Sequence, residues 1–204
     1  MTKILLDGPS SSEKTIVLAH GAGAHMDSEY LQVFAEGLSG AGLRVARFEF
    51  PYMLKRRADG RRRPPDRMPV LLDAYLQVVS RLGPENLIIG GKSMGGRIAS
   101  MIADETGVAG LVCLGYPFHP PGRPEKLRTQ HLETLVTPTL ILQGDRDPFG
   151  KRLEVEAYAL STSINVVFLP DGDHDLRPRK SSGRSRDDNW REAILCIAEF
   201  AKEL

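Results

Sequence analysis

The chain predicts an α/β architecture, a mostly parallel sheet of about seven strands with helices on both faces. Short apolar runs alternate with stretches of helical periodicity along all 204 residues, the pattern that parallel sheets produce. Several of these runs are apolar throughout rather than every second residue, as expected of strands covered on both sides. Length and a hydrophobic content of 41% suit one domain, residues 1–204, with a sizeable core.

The predicted strands are "KILL" (3–6), "TIVLAHG" (15–21), "LRVARFEF" (43–50), "NLIIGG" (86–91), "GLVCLGYP" (110–117), "TLILQGD" (139–145) and "NVVFLP" (165–170). Between them, "SEYLQVFAEGLSGAG" places Leu31, Phe34, Ala35 and Leu38 on one helical stripe. "MPVLLDAYLQVVSRLG" does the same with Leu71, Leu72, Tyr75, Val78 and Val79. "GGRIASMIADETG" and "LEVEAYALSTS" read as further helices. "DDNWREAILCIAEFAKEL" closes the chain as a helix, with Asp188 or Asn189 as its N-cap. Two stretches, 51–67 and 177–188, fit neither period and read as polar, basic loops.

The net charge of +1 gives no global field toward nucleic acid or membrane. No segment approaches the ~20 apolar residues of a membrane span, and the first residues lack a signal peptide's apolar run. The expected compartment is the cytoplasm. Cys113 and Cys196 both lie in apolar or amphipathic segments and read as small buried hydrophobes rather than a disulfide.

"LIIGGKSMGGR" (87–97) ends like a phosphate-binding loop and also contains G-x-S-x-G. The phosphate loop requires a glycine five residues before Gly91, where Asn86 stands, and the intervening residues read as strand. A nucleophile elbow requires a buried strand, a sharp turn carrying the serine, and then a helix. Small residues must flank the strained serine, and Gly91, Gly95 and Gly96 meet that need. Ser93 is therefore the candidate nucleophile.

A serine hydroxyl needs a base, and the base an orienting acid, in the chain order serine, acid, histidine. Both should follow the C-terminal ends of later strands. After "TLILQGD" the acids are Asp145 and Asp147, with Asp147 preferred because the loop has cleared the strand there. After "NVVFLP" comes His174, the only histidine beyond both serine and acid. An oxyanion hole needs preorganised backbone N–H donors. Met94, after the serine, is one; Ala22 of "AHGAGAHMD" is the other, with Gly23 as an alternative. His20 is expected to pack and hold that loop. His25 and Asp27, without a third ligand, do not make a metal site. No cofactor is called for.

"HGAGA", "GKSMGG", "GDRDP" and "GDHDL", in this order over residues 15–204, resemble the α/β-hydrolase superfamily. The resemblance implies hydrolysis of an ester, thioester or amide through an acyl-serine. With no long insertion after "GLVCLGYP", the chain looks like the small, lidless, dienelactone-hydrolase-like members. More narrowly, "FEFPYM…GRRRPPDR" and "GGKSMGGRIASM" resemble a hydrolase-like branch. That branch includes a human subunit of the NSL histone-acetyltransferase complex and its testis-expressed relative. It implies an alternative, a non-catalytic interaction scaffold with a protein partner.

Both basic loops should follow strand ends on the edge that carries Ser93. Forked guanidinium groups there suit carboxylates and phosphates. Arg61, Arg62 and Arg179 are the candidates for holding an anionic small-molecule substrate. A solvated basic rim is the competing reading. Without interleaved aromatic residues, nucleic acid is not favoured.

Overall fold

The computed structural model describes residues 3–204. Seven strands form one sheet: β1 (Ile4–Asp7), β2 (Thr15–Ala19), β3 (Arg44–Phe48), β4 (Leu87–Lys92), β5 (Gly110–Leu114), β6 (Thr139–Gly144) and β7 (Ile164–Leu169). Their order across the sheet is β1-β3-β2-β4-β5-β6-β7. Only β1 runs antiparallel, against β3; the other pairs are parallel. β4, β5 and β6 are buried at every residue, which is why they read as unbroken apolar runs.

The helices are α1 (Glu29–Gly40), α2 (Pro51–Asp59), α3 (Met68–Leu82), α4 (Met94–Ser100), α5 (Ala103–Thr106), α6 (Arg152–Val155) and α7 (Arg186–Glu203). Alternate strand residues feed two cores. Val17 and Ile89 face one that contains Tyr75 of α3 and Ile98 of α4. Ile16, Leu18 and Ile88 face another, closed by Phe34 of α1 and Trp190 of α7. Period-two alternation on β2 and β4 thus supplies both layers at once. Among the described residues no helix is long and apolar enough to cross a membrane.

Four local expectations are corrected. The segment 51–67 is not all loop, because residues 51–59 wind into α2. Pro51 at the first turn presets the helical φ, and Gly60, with φ of 69°, ends it in the left-handed conformation. The cap of α7 is Ser185, not Asp188 or Asn189. Ser185 and Asp188 form a reciprocal capping box, so the serine three residues upstream satisfies the first amides. The helix expected over 95–107 breaks after Ser100 and resumes as α5. The one expected over 153–163 is only the short α6, ending before β7 begins at Ile164. Cys113 is buried and free, whereas Cys196 is half-buried and free.

The registers pair Ala19 with Gly91, Lys92 with Leu114, and Gly144 with Leu169. The C-terminal ends of the central strands therefore lie side by side. The residues that follow them converge on one edge, where open α/β sheets place their sites.

Candidate active site

Ser93 is the hinge between β4 and α4. Its backbone has φ 51° and ψ −112°, a positive-φ conformation that a side-chain-bearing residue adopts only under constraint. The constraint is visible on both sides. Ser93 N–H donates to Leu114 O at 2.9 Å, and Ser93 O accepts from Arg97 N–H at 3.0 Å. The tight turn also explains its glycines. A Cβ on Gly91 or on Gly95 would strike the backbone oxygen of Ala19, so strand and helix can meet only without side chains there. Below the turn, the buried Tyr75 hydroxyl donates to Gly90 O and accepts from Gly90 N–H, both at 2.8 Å.

Ser93 Oγ lies 2.8 Å from His174 Nε2, and His174 Nδ1 lies 2.7 Å from Asp147 Oδ2. The three side chains form one hydrogen-bonded line from a half-buried serine to a fully buried carboxylate. Asp147 accepts two further bonds, from Phe149 N–H at 2.8 Å and Gln143 Nε2 at 2.9 Å. A buried carboxylate is tolerated only with such partners. The Phe149 ring lies over the imidazole, centroids 4.2 Å apart. Asp145, the other acid in the motif, does something else: its Oδ2 accepts from Asp171 N–H at 2.9 Å, bracing the loop before His174.

That loop is held from behind by α7. Asn189, fully buried, donates to Pro170 O at 3.0 Å and Leu176 O at 2.8 Å, on either side of His174. Trp190 Nε1 donates to Asp175 O at 2.8 Å. From the front, Lys92 Nζ donates to His174 O at 2.5 Å and sits 3.4 Å from Asp175 Oδ1. Burial pushes the Lys92 ammonium below its ordinary pKa, against the pull of Asp175, Asp147 and Asp173.

The loop after β2 is equally braced. His20 Nε2 accepts from Phe50 N–H at 3.1 Å, so the ring proton sits on Nδ1, which donates to Gly21 O at 2.7 Å. Burial lowers the His20 pKa to about 4, keeping the ring neutral. Tyr52 OH donates to Ala22 O at 3.0 Å. Arg57 bridges Asp27 and the buried Glu49, and Glu49 in turn accepts from Met26 N–H at 3.2 Å. His25 approaches the same Glu49 at 3.5 Å. Asp27 therefore belongs to an ion-pair brace, with His25 beside it.

Gly21, Ala22, Gly23, Lys92, Ser93, Phe149 and His174 line a cavity of about 310 Å³ over the serine. A second, of about 240 Å³, adjoins it across Lys92 and Asp175 and reaches Tyr30 and Arg177. A larger concavity, about 740 Å³, lies elsewhere, between α1 and α7 at Gly37, Trp190 and Ile194. Its size does not make it the site, since none of Ser93, His174 and Asp147 lines it.

Arg61, Arg62 and Arg179, expected to overhang the serine, do not line its cavity. Arg179 is committed to Asp171 through both its guanidinium and its backbone amide. Arg61 and Arg62 lie exposed beyond the end of α2. Arg63 turns back to Asp59. Conversely, Gln143, Asn189 and Phe149 shape the site and escaped the sequence reading. Gln143 had a legible signal, a lone amide inside the apolar run "TLILQGD". Asn189 and Phe149 had none, because their roles arise from contacts distant in sequence or from loop geometry.

The model of the alpha/beta hydrolase domain family matches residues 12–202. Among solved structures, dienelactone hydrolase from Anabaena variabilis superposes with a TM-score of 0.73 at 23% identity, covering 99% of this chain and 91% of that one. An α/β serine hydrolase without lid from Xanthomonas campestris gives 0.69 at 20% identity, covering 97% and 88%. The esterase domain of a Rhodothermus marinus protein gives 0.71 at 15% identity, covering 100% and 98%. These likenesses are to the fold.

Proposed function

The chain belongs to the alpha/beta hydrolase domain family, and from that premise we propose that it is a serine hydrolase of carboxylesterase type. It acts as a single, lidless unit on an ester, thioester or amide of a small substrate. The observation that carries the reading is the unbroken line Ser93 Oγ, His174 Nε2, His174 Nδ1, Asp147 Oδ2, with steps of 2.8 and 2.7 Å.

The chemistry follows from that line. His174 Nε2 takes the hydroxyl proton as Ser93 Oγ bonds to the carbonyl carbon. Asp147 holds the proton on Nδ1 and balances the imidazolium that forms. The carbonyl oxygen, now carrying the negative charge, sits against the backbone N–H groups of Ala22 and Met94. Met94 is the first residue of α4, whose first-turn amides lack intrahelical acceptors. Tyr52 fixes the neighbouring peptide through Ala22 O. The imidazolium returns its proton to the leaving group, and the acyl-serine remains. Water, deprotonated by the same His174, attacks the acyl carbon; the bond to Ser93 Oγ breaks, Oγ takes the proton back from the imidazolium, and the acid leaves. Every proton moves between Ser93, His174, water and substrate, so the cycle needs no metal or cofactor.

The test is covalent labelling with a fluorophosphonate probe and mapping of the modified residue. Wild type is expected to label at Ser93 and to turn over small esters, and Ser93→Ala to do neither while keeping its melting temperature. A wild type that never labels above pH 7 would leave the interaction-scaffold reading standing instead.

A further inference from the structure

A second group of chemistry-bearing side chains lies one helical turn beyond the nucleophile and takes no part in the steps above. Arg97 follows Ser93 by four residues on α4, and its amide holds Ser93 O. Arg128 and His131 come from the segment after β5, which leaves the sheet at the catalytic edge. A small network draws these elements together. Ser100 Oγ donates to Arg97 O at 2.8 Å, so the bond of 2.8 Å to His131 Nε2 must run from the ring N–H to the hydroxyl. Tyr116 OH donates to Arg128 O at 3.0 Å and lies 3.4 Å from the same His131 nitrogen.

What this network assembles is a like-charge cluster. Burial disfavours the charged forms of both Arg128 and His131, and the nearby Arg97 charge adds to it. Among the described residues no carboxylate pairs with either guanidinium. Arg97 Nε is buried with no acceptor at all. The other conspicuous arginines differ: Arg47, Arg57, Arg63, Arg179 and Arg186 each have an acid partner. Two half-buried guanidinium groups near each other without a counter-charge are costly unless an anion completes them.

We infer that Arg97, Arg128 and His131 form a binding site for a carboxylate or phosphate group carried by the substrate, an inference that rests on the serine hydrolase reading. The forked donors suit a planar or tetrahedral oxyanion. None of these three residues lines the cavity over the serine, but where Arg61, Arg62 and Arg179 are exposed, Arg97, Arg128 and His131 are half-buried, so an anion bound there is less screened by water. His131, with Nε2–H committed to Ser100, keeps Nδ1 for a proton that the arriving anion would stabilise.

The experiment has two arms on the full chain at low salt. In the first, inorganic phosphate and succinate are titrated calorimetrically into wild type, Arg97→Gln, Arg128→Gln and Arg128→Lys. In the second, kcat/KM is measured for p-nitrophenyl acetate and for the hemisuccinate ester of p-nitrophenol, and the ratio is compared across the same proteins. Each glutamine variant is expected to weaken anion binding by about tenfold or more, and to lower the anionic-to-neutral ratio by a similar factor. Arg128→Lys, which keeps charge without the fork and guards against a misfolded variant, should fall between. Equal binding and an unmoved ratio in all four proteins would overturn the site. Weakened binding with an unmoved ratio would overturn its assignment to the substrate and leave a site for a free anion. If wild type hydrolyses neither ester, the hydrolase reading fails, while the titrations still decide whether the site exists.

Discussion

The line from Ser93 to Asp147 and the basic segment 51–67 differ in how their polar groups are spent. Asp147 has no solvent exposure and three partners drawn from β6, the loop after it, and the histidine loop. Each partner is itself fixed, Gln143 by Tyr116 and Gly150, and His174 by Lys92 behind its carbonyl. In 51–67, Arg63 pairs with Asp59 four residues away, and Arg61 and Arg62 stand in solvent. The first arrangement holds geometry, because a buried polar group without partners is heavily penalised and so has one place to be. The second holds little, because water can replace each pair. Arg57 marks the boundary. It belongs to the basic segment but reaches the buried Glu49 and so braces the loop after β2.

The largest effect that sharpens this contrast is at the acid. Asp147→Asn is expected to lower kcat for ester hydrolysis by on the order of 10⁴, since the amide cannot hold the right imidazole tautomer. Asp145→Asn, which touches only Asp171 N–H, should lose far less. Steady-state kinetics on one ester decides it, and comparable losses in both variants would break the distinction between them.

Next comes the buried neutral histidine. His20 has its pKa lowered to about 4, against 6.5 when unfolded. Between these values the unfolded chain binds the proton and the folded one does not. Its stability contribution is therefore intact above pH 6.5 and is lost progressively as pH falls toward 4, by about 3 kcal/mol in total. Urea melts at pH 7.5 and 4.5 should show the loss in wild type and a shallower one in His20→Gln. Identical slopes would place the acid sensitivity elsewhere.

The smallest effect is expected at the surface. Arg61→Gln, Arg62→Gln and Arg179→Gln should each leave the denaturation midpoint close to that of the wild type. A triple variant should keep its kcat/KM on a neutral ester. Chemical denaturation and the same ester assay check both. A drop of tenfold or more in turnover would return these arginines to the site.

Much of the site was legible because its signals are local. Ser93 lies in a turn whose glycines are demanded by backbone contacts, so the motif and the strain are one fact. Chain order separated His174 from His119 and His131 before any coordinates. What was not legible came from distance in sequence. Nothing local to Asn189 says that its amide spans Pro170 and Leu176, or that Arg97 meets Arg128 thirty-one residues later. In α2 the signal was present, Pro51 at the start and Gly60 at the end, but charge masked it.

The sequence alone determined the strand–helix alternation, and with it a sheet whose C-terminal edge carries the chemistry, because burial on both faces imposes short unbroken apolar runs that stand apart from the helically spaced segments between them. It also determined the elbow, since only residues without side chains fit between Ala19 and α4. Only the tertiary structure decided which charges matter. A guanidinium in a sequence looks the same whether an acid awaits it or not. Packing alone gave Arg179 its aspartate and left Arg97 and Arg128 near each other without one.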